Sequence, residues 1–201
     1  MLSILGGIMI ALGGIVNLQV GGIGGALFFS LGLITILMFK FDLFTGRSGL
    51  LATREITAKK LLLIWLGNLY GAVMMGVLMG MTPIGASMAV SAEAIAATRL
   101  ANGALANTIL GGCCGILMYI GVGLFSQQNN PLYAVMPVAI FILSGFNHCV
   151  ADMFYFAVGK PPMAVWLTLI PTTVGNLIGT NIIPTIQKWL SSQKNTPRNI
   201  F

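Results

Sequence analysis

Charge is what this chain has least of. Four of its 201 residues are carboxylates, Asp42, Glu55, Glu93 and Asp152, and ten are lysine or arginine. The charged share is 7%, against roughly 25% in ordinary globular domains, so the chain cannot cover itself for water. The carboxylates stand far apart and His148 is the single histidine, which leaves a metal or haem site no ligand cluster; no cofactor is expected. Cys113, Cys114 and Cys149 all fall in apolar stretches and suit packing better than a disulfide framework or a metal. The opening Met1-Leu2-Ser3-Ile4 has no basic residue before its apolar run, so no cleaved signal peptide is expected and the first helix is expected to stay.

What is present is apolar. Hydrophobic residues make up 57% of the chain and the mean hydropathy is +0.94. Residues 1–39, 61–92, 100–151 and 161–187 contain no Asp, Glu, Lys or Arg, and each stretch holds one or two bilayer spans of about 20 residues. Cutting at glycine, proline and polar clusters predicts an all-α membrane protein with six spans, roughly 2–20, 24–46, 60–82, 100–125, 132–158 and 162–187. Thr82-Pro83-Ile84-Gly85 ends the third span and Gln127-Gln128-Asn129-Asn130-Pro131 separates the fourth from the fifth.

An even number of spans puts both ends on one side, and the basic residues say which. Arg47, Arg54, Lys59, Lys60, Lys188, Lys194 and Arg198 share one face, Arg99 and Lys160 the other, and Lys40 falls inside a span. Positive residues mark the cytoplasm. Both termini are therefore expected there, in a multi-pass protein of the cell (plasma or inner) membrane, and the net charge of +6 reflects topology rather than nucleic-acid binding.

Gly67-Asn68-Leu69-Tyr70-Gly71 and Gly175-Asn176-Leu177-Ile178-Gly179 repeat one pattern about half a chain apart. Alone, such a string reads as a small-xxx-small packing motif. Its recurrence is in register with two polar interruptions upstream, Phe41-Asp42-Leu43-Phe44-Thr45-Gly46 and Phe146-Asn147-His148-Cys149-Val150-Ala151-Asp152, and this favours a duplication. Residues 1–201 are read as one transport domain of two three-span repeats, about 1–85 and 98–190. An odd-numbered repeat reverses direction in the bilayer, so the repeats are expected to be inverted, with spans two and five broken and their polar groups facing near the midplane.

Those four motifs, in order and spacing, resemble the signatures of the formate/nitrite transporter family. The resemblance covers all six spans and implies an aquaporin-like protomer with its own pore, assembled as a homopentamer, that passes small monovalent anions or their conjugate acids: formate first, nitrite or hydrosulfide as the alternatives, with protons as the other partner. It implies Thr45 and His148 as the central pair of the pore, with Asn147 beside them. Phe29 and Leu33 match a constriction on the cytoplasmic side, Phe141 a ring on the other side, and Asn107 and Asn176 asparagines that border the pore. The chain departs from the family in starting directly in span one, where members usually have an N-terminal segment under the pore, so gating by that segment is not expected. It also carries Asp152 where the family has an amide, and lacks the family's vestibule lysines, offering only Glu93 and Arg99 before span four. Lys40 stands where members commonly have a small residue. Lys40 and Arg99 are the candidates for attracting anions, although Lys40 also suits snorkelling to the interface or pairing with Asp42.

Electrostatics supports such a layout independently. Taking a bare carboxylate-sized ion into a low-dielectric constriction costs about 20 kcal/mol in the idealised Born limit. Protonating an acid of pKa about 4 at pH 7 costs roughly 4 kcal/mol. A greasy ring therefore rejects ions while a central donor neutralises or pairs with an anion, and helix breaks add unpaired N–H groups favourable to negative charge. An ionisable group within a span by default marks a pathway, hence the weight on His148. Asn147 is placed to hold its tautomer, and Asp152 would pair with it if the helix ran on unbroken.

Other classes fit less well. A neutral-solute, water-type channel lacks Asn-Pro-Ala motifs, the single Asn-Pro being Asn130-Pro131 in a loop. A protease using Ser144 and His148 would place nucleophile and base one turn apart on one helix. A purely structural protein leaves two polar interruptions unexplained.

Overall fold

The computed structural model describes residues 1–194, with Lys194 as backbone alone; Arg198 and the Lys194 side chain, counted above among the basic residues, lie outside what is described. Every regular element described is helical: α1 (Leu2–Val20), α2 (Gly22–Met38), α3 (Phe44–Arg47), α4 (Leu50–Thr53), α5 (Ala58–Gly80), α6 (Gly85–Gln128), α7 (Leu132–Leu143), α8 (Cys149–Gly159), α9 (Met163–Trp166) and α10 (Leu169–Lys194). Among the described residues α1, α5, α6 and the stretch Met163–Gln193 are long and apolar enough to cross a membrane, while α2, α7 and α8 are shorter apolar helices.

Small residues decide how closely the long helices approach. A methyl group added at Gly67 or Gly71 would collide with Ser3 or the Ile4 carbonyl, and one at Gly175 or Gly179 with the Thr108 or Gly112 carbonyl. The paired motifs thus serve as packing faces, joining α5 to α1 and α10 to α6. α2 lies against α7, and α8, buried along its whole length, fills the centre between α5 and α6.

One stretch expected as loop is helical. Residues 85–99, expected to link spans three and four, form with 100–102 the first part of α6, and the chain breaks at Gly103, whose φ of 69° and ψ of 179° are non-helical, before running on to Gln128. Alanine is the strongest helix former, and the buried residues Met88, Ala92, Ala96 and Arg99 recur every three or four positions, as one helix face requires. Lys188 Nζ, in the second half of α10, donates to the Ala52 carbonyl of α4 at 3.3 Å, which brings those two helices together.

Candidate functional site

α2 and α7 end on the same backbone bond. Phe41 N–H reaches back to the Ile36 carbonyl and Phe146 N–H to the Phe141 carbonyl, both at 2.9 Å. The residue before each phenylalanine is left-handed, Lys40 at φ 56° and Gly145 at φ 71°, as a Schellman ending requires. Two residues further on the chain is extended, at Leu43 and His148, and each of these caps a new helix, α3 and α8.

The asparagines of the repeated motif hold these breaks. Asn68 accepts from Phe44 N–H at 2.8 Å and donates to the carbonyls of Ser3 (2.6 Å) and Asp42 (2.9 Å). Asn176 accepts from Cys149 N–H at 2.9 Å and donates to the carbonyls of Gly111 and Asn147, both at 2.8 Å. Backbone groups that a helix break would orphan in a dry interior are satisfied by one side chain in each half. Asn176, expected at the pore wall, is therefore a strut; it is fully buried and lines neither of the cavities described below.

Where the breaks meet, Thr45 Oγ1 lies 2.9 Å from His148 Nε2. His148 Nδ1 accepts the Ala151 N–H at 3.2 Å and caps α8. An accepting Nδ1 assigns the proton of the neutral ring to Nε2, so Nε2–H donates to Thr45. The threonine hydroxyl hydrogen then has no acceptor among the described residues and is free for a third atom. Asn147 does not hold the tautomer; its amide donates to Asn107 Oδ1 at 2.8 Å, and its own oxygen is buried without a partner. Asn107 in turn donates to the Arg99 carbonyl at 2.7 Å and, like Asn147, lines neither cavity.

Aromatic rings close over this pair. The Phe141 ring stacks on the imidazole, centroids 5.5 Å apart at 18°, and Phe29 meets Phe141 edge-on at 6.0 Å. Phe29 and Phe141, expected on opposite sides of the centre, form one layer; α2 and α7 bring them together because the two helices pack side by side. Leu33, one turn further along the same face of α2, lines a separate cavity.

Two cavities approach the layer. One of about 460 Å³ lies at the C-terminal end of α2 and is lined by Leu33, Leu43, Lys40, Arg47 and Phe125 among others. The second, about 360 Å³, reaches from His148 and Phe141 to Asn17 near the end of α1, and so opens at the opposite end of α2. Arg99 and Asp152 line this second cavity and pair with each other, Arg99 Nε lying 3.2 Å from Asp152 Oδ2. Asp152 thus answers Arg99 rather than His148, because the chain breaks at His148. Arg47, in the wall of the first cavity, pairs with Asp42 at 2.9 Å, so the partner of Asp42 is not Lys40. No local signal in the sequence announced the Arg99–Asp152 pair, which joins separate helices. The role of Asn68, by contrast, was carried by its place in the repeated motif.

The sequence profile described as formate/nitrite transporter matches residues 1–190. The chain is 29% identical over 208 residues to the formate channel FocA of Escherichia coli K12, covering 83% of this chain and 72% of that protein. It is 28% identical over 216 residues to the uncharacterized transporter YrhG of Bacillus subtilis, covering 89% and 79%. Its fold matches a solved pentameric formate channel with formate bound at a TM-score of 0.78, with 24% identity over 96% of this chain and 95% of that one. A solved ion channel of the same family gives 0.80, with 21% identity over 94% and 88%. The chain belongs to the formate/nitrite transporter family.

Proposed function

We propose that each protomer is a channel for small monovalent anions or their conjugate acids, with formate as the leading substrate, and that the pore runs between the two cavities past Thr45 and His148. The observation that carries this reading is the 2.9 Å Thr45–His148 contact at the junction of two helix breaks, flanked by a cavity on either side. Formate enters the reading through the channels this chain resembles; nitrite is the alternative within the family, and hydrosulfide the third small acid to test. On this reading α2 with α3, and α7 with α8, are the broken second and fifth of six crossings in two inverted repeats, both termini are cytoplasmic, and five protomers assemble as in the solved pentameric relative. Relatives and matched structures are channels or transporters, so transport rather than catalysis is assigned.

The chemistry follows from the hydrogen bonding. His148 donates through Nε2 to Thr45, which polarises the threonine hydroxyl toward an anion arriving from either cavity. A two-oxygen anion held there is stabilised by a charge-assisted bond, and its net charge is lowest if it takes up a proton before passing Phe29 and Phe141. Leu33 and Leu43 keep the other approach apolar, Asn107, Asn147 and Asn176 hold the breaks rigid, and Arg99 and Lys40 sit in the two cavity walls.

Labelled formate, nitrite and hydrosulfide flux into proteoliposomes tests the reading. Saturable formate uptake that rises as pH falls from 8 to 5 is expected, with larger monocarboxylates excluded. Absence of flux for all three solutes would overturn it.

A further inference from the structure

Lys40 occupies a backbone position that the other half of the molecule gives to glycine. The two helix endings share the bonds Phe39 N–H to Thr35 and Ser144 N–H to Ile140, and Phe41 N–H to Ile36 and Phe146 N–H to Phe141, and the left-handed residue is Gly145 in one and Lys40 in the other. Glycine takes this conformation freely, whereas a residue with a Cβ takes it at a steric cost. Sidedness gives that cost a purpose. Lys40 is exposed, makes no hydrogen bond or ion pair among the described residues, and lines the cavity that ends at Leu33 and Leu43. The other charges there, Arg47 and Asp42, neutralise each other, so this mouth carries a net charge of one positive unit. At the opposite mouth Arg99 is neutralised by Asp152, and the ring of His148 is in its neutral form by the tautomer argument; that mouth carries none.

We propose that Lys40 is an anion-collecting residue that makes half-saturation of the channel one-sided, lower from the face carrying the basic loops than from the Arg99 face. The inference rests on the reading of the chain as a small-anion channel. A unit charge about 5 Å from an anion in a water-like dielectric changes local occupancy roughly fourfold. Detailed balance keeps Vmax/KM equal from both faces at zero potential, so a lower KM comes with a proportionately lower Vmax. Lysine near a helix C-terminus also favours the helix dipole, and a purely structural role of that kind would leave transport from the two faces alike.

The test measures formate influx into right-side-out and inside-out membrane vesicles with membrane potential clamped at zero. In the unaltered protein the KM from the Lys40 face is expected to be about fourfold lower at about 10 mM salt, and the difference to vanish at about 1 M salt, where the screening length falls to about 3 Å. Lys40→Gly, which suits the left-handed backbone, should fold with unchanged or higher thermal stability yet equalise the two faces; Lys40→Arg should keep them unequal. Equal KM values from both faces in the unaltered protein, or an asymmetry that survives Lys40→Gly, would overturn this inference alone. Lack of formate flux from either face would sink the channel reading and this inference with it.

Discussion

Asn68 and Asn176 carry out the same structural task in the two halves of the chain, each binding one backbone N–H and one carbonyl at a helix break and a second carbonyl on the neighbouring α1 or α6. Truncating either side chain takes the partner from the two backbone groups at its break, Phe44 N–H and the Asp42 carbonyl or Cys149 N–H and the Asn147 carbonyl, each costing about 1–3 kcal/mol. Asn176→Ala is therefore expected to destabilise the protein by at least about 2 kcal/mol. Thermal unfolding in detergent, with a surface substitution such as Ile178→Ala as control, reads the difference; an unchanged melting temperature would remove the strut role.

His148 both caps α8 and donates to Thr45, and two substitutions separate those tasks. Asparagine is a strong N-cap residue, so His148→Asn should hold stability within about 1 kcal/mol while lowering formate flux at least tenfold. His148→Phe should lose the cap as well and melt lower. Flux retained in both variants would show that the imidazole takes no part in passage.

The buried Arg99–Asp152 pair gives a third expectation. Removing one partner from such a pair strands a charge and costs about 3–5 kcal/mol, while replacing both by apolar groups is often close to neutral. Arg99→Met should therefore destabilise more than the double variant Arg99→Met with Asp152→Leu. A double-mutant cycle on melting free energies measures the coupling, and additive effects would contradict the pairing.

Phe29 and Phe141 form a single ring layer above the imidazole. Removing one ring should cost about 3–5 kcal/mol of packing and open a leak. Chloride flux in Phe29→Ala proteoliposomes is expected to rise at least tenfold and to lose its dependence on pH; a variant as tight as the parent would place the barrier elsewhere.

How much of this was legible in the sequence follows from whether each feature is local. α1 and α5 lie within a residue or two of the spans read from uncharged stretches, because hydropathy and turn residues act over short distances. The Thr45–His148 meeting was likewise within reach, since the repeat sets two interruptions in register. Residues 85–99 differ from the expected link because the Thr82-Pro83-Ile84-Gly85 turn and the charges of Glu93 and Arg99 interrupt the hydropathy, whereas the alanine-rich face that makes them helical packs against other helices. The partner of Asp152, the burial of Asn107 and Asn176, and the contact between Phe29 and Phe141 depend on how separate helices cross. No spacing within one segment encodes that.

The bond between His148 Nδ1 and the Ala151 amide reaches beyond capping. With that nitrogen occupied, the imidazole is a cul-de-sac for hydrogen ions and not a wire: nothing can enter at one edge of the ring and leave at the other. On the channel reading, the ring therefore offers no relay from one edge to the other, and a proton that accompanies the anion is expected to travel on the solute rather than through the imidazole.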